Sequence, residues 1–304
     1  MMKRILILIT AIYSLQATSQ SIMAQAELEA ENIDEVRVDG SFVDVYVNKG
    51  DKVYFKGVIE GNGDKGDYRF DTDISGSTLI IKVVYTKNKY NWRDRKITKS
   101  RIDITITDGI RLDIDNSSGD VNVANLRASE SKIEASSGNV TLKSIIANLD
   151  VETSSGDIEI DGLVGDSEIE STSGEQDITD VRGSLEAQAS SGDITITNFK
   201  GDLDLEATSG DIDLRGGEGE LDVRTTSGEI DGDDITLTGD ANFDASSGNI
   251  EIDFTNDLND LSFFLTATSG DLEVGSRSGE KRLIIDRGGY KVEGVTSSGN
   301  QEYE

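Results

Sequence analysis

The sequence predicts an all-β chain: a single-stranded parallel β-helix (β-solenoid) of about ten 18-residue coils behind an N-terminal β region. Three observations carry that prediction. Glycines recur every nine residues at 156, 165, 174, 183, 192, 201, 210, 219 and 228, and a fixed short period of this kind is the mark of a repeat architecture. Between them the apolar residues alternate, as in Ile158/Ile160, Ile194/Ile196, Leu203/Leu205, Ile212/Leu214 and Leu221/Val223. Alternation over about five residues gives a half-buried strand and not a helix. Finally, none of the 304 residues is proline. A solenoid commits nearly every backbone N–H to its neighbouring layer, and proline has none to give. An ordinary antiparallel β-sandwich is the plainer alternative.

Taken in order, residues 1–26 read as a secretory leader. Lys3 and Arg4 precede the apolar run Ile5–Leu15, and a small-residue region closes on Ala24-Gln25-Ala26. The run is too short to span a membrane, and no cysteine follows it to carry a lipid. Removing the two leader cations takes the formal net charge from −30 to −32. The mature chain is expected outside the cytoplasm, in the periplasm, on the cell surface or secreted, with no transmembrane segment. Without cysteine, packing and the strand ladder carry its stability.

Residues 27–100 have strand patterning without the nine-residue period. Val36-Arg37-Val38, Val43–Val47 and Val53-Tyr54-Phe55 alternate around Asp39-Gly40 and Lys49-Gly50-Asp51 turns, and Leu79–Val84 is a more continuous apolar strand. The region is expected to cap or begin the stack, since a bare coil end is an unpaired edge. Within it, Lys82 to Arg101 holds eight Lys/Arg against the single acid Asp94, with Tyr85, Tyr90 and Trp92 among them. Tyr90, Trp92, Arg93, Arg95 and Lys96 are the candidate partner-binding residues, a basic-aromatic loop for an anionic or glycan partner. The competing reading is a solvated hairpin loop. Nucleic acid does not fit a secreted chain of this acidity.

Residues 101–304 form the repeat domain. Each nine-residue half is one strand and one turn. Glycine is expected to supply positive φ there, followed by Asp, Asn or Glu. One inward column is Ile/Leu/Val, and the other is closed by the small residues Ser171, Ala189, Ala207, Thr225 and Ala245. Asn256–Phe264 looks like an insertion, and Gln176 replaces the usual aliphatic, expected as a local cap or a bulge. The Ser/Thr pairs at 154–155, 172–173, 190–191, 208–209 and 226–227 are expected to satisfy turn backbone groups.

The iterated SSGDIEI phrase at 154–160, the segment GSFVDVYVNKGDKVYFKG at 40–57 and the basic aromatic interruption resemble the bacterial "putative adhesin" β-strand-repeat family, including its head-GIN-type envelope proteins. The resemblance covers essentially the whole mature chain. It implies a β-helix-like solenoid outside the cytoplasm and supplies no catalytic residues.

With neither His nor Cys, triads using those residues, thiol nucleophiles and the usual zinc sites are excluded. Carboxylates remain. The residue after the turn glycine is acidic or Asn at Asp120, Asn139, Asp157, Glu175, Asp193, Asp211, Glu229, Asn249 and Asp271. Stacked like charges oppose folding, so either the row is solvated and bonded to turn N–H groups, or calcium bridges it. Asp157, Asp193, Asp211 and Glu229 are the candidate calcium row. The single glycine with Asp directly after it does not reproduce the nonapeptide calcium roll. The regular turns leave no loops to wall off a cleft, so no enzyme and no cofactor are expected. Partners are a cell-envelope or surface protein or glycan, and the role is that of an adhesin-like or scaffold module. The alternative is a calcium- or polysaccharide-interacting β-helix protein.

Overall fold

The computed structural model describes residues 21–86 and 96–304. Among them the chain is all-β, with 26 strands and a single one-turn 3-10 helix at Leu258–Asp260. It divides into two compact units, residues 1–138 and 139–304.

The first unit holds β1 (Ser21–Ala30), β2 (Glu35–Ser41), β3 (Asp44–Lys49), β4 (Val53–Gly61), β5 (Tyr68–Ser75), β6 (Thr78–Tyr85), β7 (Ile97–Ile106), β8 (Arg111–Asn116), β9 (Val121–Ala124) and β10 (Arg127–Ala135). β4 is antiparallel to both β1 and β7, and β5 to β6. The parallel ladders are less local. β2 lies between β6 and β8, and β3 between β7 and β9. An early segment is therefore inserted between two later layers. Strands on either side of residue 100 share these ladders, β2 with β8 and both β3 and β4 with β7. Of the expected leader, residues 1–20 lie outside the described residues, and Ser21–Ala26 form the first part of β1.

The second unit holds β11 (Val140–Thr153), β12 (Ile158–Val164), β13 (Ser167–Ser171), β14 (Gln176–Arg182), β15 (Leu185–Ala189), β16 (Ile194–Lys200), β17 (Leu203–Ala207), β18 (Ile212–Ser227), β19 (Ile230–Ser247), β20 (Ile250–Phe254), β21 (Ser262–Ser269), β22 (Leu272–Val274), β23 (Arg277–Gly279), β24 (Arg282–Ile285), β25 (Lys291–Ser298) and β26 (Gln301–Tyr303). Its regular part is parallel with an 18-residue offset: Ile158 opposes Gln176, Gln176 opposes Ile194, Ile194 opposes Ile212 and Ile212 opposes Ile230. In the other half Leu185 opposes Leu203, which opposes Leu221. Ile158, Ile160, Ile194 and Ile196 are at most 1% exposed, as the alternation requires.

A uniform run of about ten coils is not what the ladders show. The offset widens to 20 residues between Ile230 and Ile250, and it is 19 between Asp113 and Lys132 in the first unit. Near the C-terminus the order departs from the sequence altogether. β25 sits between β19 and β21, and β26 between β20 and β22. The last strands are thus the penultimate layer. The layer beyond them is closed by β23 and β24, which pair antiparallel to β22 and β21. Short antiparallel closures of this kind leave little open edge for a foreign strand. Tyr303, fully buried, packs with Phe243, Phe254 and Phe263 at centroid distances of 5.6–6.2 Å and locks the inserted layer. Burial drives its phenol far above the usual tyrosine range.

The turn glycines serve two purposes. Gly165, Gly183 and Gly201 have φ of +145°, +134° and +144°, the left-handed region expected for all of them. Gly174, Gly192 and Gly210 do not. A Cβ there would strike the carbonyl of the turn glycine one layer below, so close backbone approach, not torsional freedom, selects glycine in that half.

Candidate functional site

The acidic row after the turn glycine is a hydrogen-bonded ladder. Asn139 Oδ1 accepts from the backbone N–H of Asp157 at 3.1 Å, and Asp157 Oδ1 from that of Glu175 at 3.1 Å. Asp193 Oδ1 accepts from Asp211 N–H at 2.9 Å, and Asp211 Oδ1 from Glu229 N–H at 2.8 Å. The opposite turn repeats the device, with Asn148 accepting from Asp166, Asp166 from Ser184 and Asp202 from Glu220. The partner is the next layer's N–H, one layer beyond the turn's own groups. The same ladder follows the interleaving: Asn249 accepts from Asn300 N–H, and Asn300 from Asp271 N–H, both at 3.0 Å. A short side chain that accepts at this reach explains Asp and Asn here. Among the described residues, no group of three or more His, Cys, Asp or Glu is arranged to hold a metal ion.

The hydroxyl ladder lies one residue earlier than expected. The Ser/Thr pairs at 154–155, 172–173, 190–191, 208–209 and 226–227 are exposed. The hydroxyls that close the turn are those of Thr153 and Ser171, which donate to the carbonyls of Gly156 and Gly174 at 2.9 and 3.1 Å. Gln176 is in register, not at a bulge. Its buried amide donates to Ser171 Oγ at 2.9 Å and to the Gln188 carbonyl at 2.7 Å. Gln301 makes the equivalent pair of bonds to Thr296 Oγ1 and the Thr266 carbonyl.

Outward residues of β13, β15 and β17, flanked by those of β11 and β18, make an acidic wall. Asp150, Glu168, Glu186, Asp204 and Asp222 are stacked in register, as are Glu152 and Glu170. Partial burial, followed by repulsion from Glu168, Glu152, Asp150 and Glu186, raises the Glu170 carboxyl above the usual range. Burial likewise raises Asp222, against the opposing pull of Arg224.

On the other side of the second unit lies an open groove of about 630 Å³. It is lined by Gly162, Asp180 and Asn198, members of a column of left-handed residues 18 apart: Ser144, Gly162, Asp180, Asn198, Gly216 and Asp234, with φ between +56° and +81°. Each is passed over in the ladder, as where Lys143 opposes Asp161 and Ile145 opposes Leu163. The column was legible as Gly, Asn and Asp at a constant spacing, the residues that tolerate this region, but it was hidden behind the stronger turn glycines. Beside this column run Val164, Arg182, Lys200 and Glu218, in register on successive layers. Lys200 is paired with Glu218. Arg182 is exposed and has no carboxylate partner among the described residues. Under it Phe199 lies against Gly217, where any Cβ would enter the ring.

Of the candidate partner-binding residues, Tyr90, Trp92, Arg93 and Arg95 lie outside the described residues. Lys96 is exposed, and its backbone exchanges bonds of 2.7 and 3.1 Å with Asn62. Tyr85, at the other end of the stretch, is tilted against Tyr68 at 5.2 Å, and Tyr68 is edge-on to Phe42 at 5.2 Å.

A parallel ladder of short strands, closed turns and an open charged surface defines an all-β repeat protein. The chain belongs to the Toastrack DUF4097 family, whose model matches residues 33–215 and 197–302. Among solved structures it is similar to a putative adhesin from Bacteroides fragilis, at 14% identity over 92% of this chain and 96% of that one, with a TM-score of 0.40. It is also similar to a putative adhesin from Parabacteroides merdae, at 13% identity over 94% and 96%, TM-score 0.41. A third likeness is to a putative lipid binding protein from Parabacteroides distasonis, at 14% identity over 92% and 96%, TM-score 0.35. No curated protein matches. No helix among the described residues is long and apolar enough to cross a membrane.

Proposed function

We propose that this chain is a non-enzymatic β-solenoid that works outside the cytoplasm as an adhesion or scaffold module of the cell envelope. The observation that carries the reading is the double ladder of the turns. In both turn rows Asp and Asn side chains accept from the next layer's backbone, and the turns are short and build no walled cleft around a reactive group. What remains available is a repeated outer surface, suited to contact over many layers and not to turnover. The test is binding of the purified full chain to envelope fractions and to a glycan array, alongside incubation with polyuronates. Retention without new reducing ends is the expected result. Release of reducing ends would overturn the non-enzymatic reading.

The groove favours a polysaccharide as one such contact. The second unit is strongly acidic, yet Arg182 and Lys200 stand on adjacent layers of one column, where like charges oppose each other. Lys200 is already paired with Glu218, so an acidic sugar chain lying along the column would meet Arg182 with its charge and the exposed Val164 with a sugar face. Arg182→Glu should abolish retention on acidic glycans and leave the fold intact. Unchanged retention would remove the groove, and loss on replacing Trp92, Arg93 and Arg95 together would move the contact to the basic-aromatic stretch.

A further inference from the structure

β1 begins inside the segment that resembles a secretory leader, and its first residues are built into the first unit. Ser21, Ile22, Ala24, Gln25 and Ala26 oppose Gly61, Glu60, Ile59, Val58 and Gly57 of β4. A register shift between Ile22 and Ala24 turns two consecutive side chains inward. Met23 is 1% exposed and Ala24 8%. The seat for Met23 is specific. A Cβ on Gly61 would lie 2.8 Å from Met23 Cε, and one on Gly63 would lie 2.5 Å from its sulfur. Two residues without side chains thus make the room that this thioether fills. The backbone is anchored as well: Gly66 N–H donates to the Met23 carbonyl at 2.8 Å, and Ser21 Oγ donates to the Gly63 carbonyl at 2.7 Å.

A cut after Ala26 would discard this strand half, empty the seat between Gly61 and Gly63, and bare the β4 edge from Gly57 to Gly61. An uncovered edge next to a vacated apolar seat is an aggregation hazard. Upstream, the apolar run Ile5–Leu15 is followed by Ala17-Thr18-Ser19, which has small residues two apart at the positions a leader peptidase reads.

We propose that the leader is removed at the Ser19–Gln20 bond, so that Ser21–Ala26 remain in the mature chain as the first half of β1. Water adds across that peptide bond, leaving a carboxylate on Ser19 and a new amine on Gln20. The strand pairing of residues 21–26 and the seat for Met23 select this bond over Ala26–Glu27. The inference rests on the extracytoplasmic reading, and it moves the expected leader end from residue 26 to residue 19.

The experiment is expression of the full chain in a bacterial host with an intact secretion pathway. Intact mass and N-terminal sequencing are then read on the product exported from the cytoplasm. The expected mature chain starts at Gln20, seven residues before Glu27. Ser19→Gln should block processing, and Ala26→Gln should leave it unchanged. A start at Glu27, or sensitivity to Ala26→Gln with none to Ser19→Gln, overturns the assignment while sparing the extracytoplasmic reading. An uncut chain retained in the cytoplasm overturns both. As a second readout, a chain begun at Gln20 should unfold at higher urea than one begun at Glu27, and equal midpoints would contradict a structural role for the segment.

Discussion

Substitution of Asp211 separates a ladder from a metal site. Its Oδ1 accepts from Glu229 N–H at 2.8 Å, and its own N–H donates to Asp193 Oδ1 at 2.9 Å. Asp211→Ala removes one acceptor and leaves the donor in place. A single exposed hydrogen bond contributes about 0.5–1.5 kcal/mol, and water can take over part of it, so the loss should fall toward the lower end. Asp211→Asn keeps an oxygen of the same reach and removes one charge from the row, so it should match or exceed the parent. The sequence already uses that solution at Asn139, Asn148, Asn249 and Asn300. The assay is urea unfolding of the parent and both variants, each with calcium and with chelator. The expected order is Asn at or above the parent with Ala below, and no calcium dependence. If Asn is as damaging as Ala, or if calcium raises the parent's midpoint and Asp211→Asn abolishes that rise, the ladder reasoning fails.

Other consequences are equally open to measurement. Gly217→Ala should cost about 1–3 kcal/mol by driving a methyl into the Phe199 ring, and Phe199→Leu in the same chain should recover part of it; a neutral Gly217→Ala would contradict the packing. Gln176→Leu should change stability by less than about 1.5 kcal/mol, since a buried amide with one unpaired oxygen is exchanged for the aliphatic of its column; Gln176→Ala should be worse, as a cavity adds to the lost bonds. The pH response has a definite sign. Burial and neighbouring acids raise the carboxyls of Glu170, Asp115 and Asp231 in the folded chain, as burial does for Asp222 against its arginine. The folded state therefore binds protons that the unfolded chain has released, and stability rises as pH falls from neutrality through these folded values. The carboxyls of Asp71 and Asp257 are lowered by Arg69 and by the Asn259 backbone N–H respectively, so their contribution is lost as pH falls further, through their own folded values. A midpoint that only declines on acidification from pH 7 would refute this.

Much of the second unit was legible because its contacts are one period apart. Ile194 and Ile212 are adjacent in space for the same reason that they are 18 apart in sequence. The inward columns, the small column at Ser171 and Ala189, and the Asp/Asn turns all follow from that period. The interleaved ends do not. Nothing local in Glu35–Lys49 or Lys291–Tyr303 says that each will slide between two other layers, because that choice is made by pairing partners 43 to 76 residues away in one case and 29 to 51 in the other. The turn glycines were recognised, but half of them for the wrong reason, since steric approach of a neighbouring carbonyl leaves no trace in a single repeat. The groove was missed because Asp180 and Asn198 read as ordinary exposed polar residues until their common left-handed torsion is seen. The end of the leader was placed by composition alone, and composition does not reveal that Met23 has a seat.

The 18-residue register is the claim on which the rest stands, and the cysteine-free chain allows a direct test. Thr195 opposes Asp213 across β16 and β18, and Asp231 lies one further layer away. Chains carrying Thr195→Cys with Asp213→Cys, or Thr195→Cys with Asp231→Cys, should be treated with a short bifunctional thiol reagent spanning about one 4.8 Å interstrand step. Efficient internal crosslinking of the 195/213 pair and none of the 195/231 pair is the predicted result. Equal crosslinking of both, or of the second pair alone, would contradict the stacked parallel ladder.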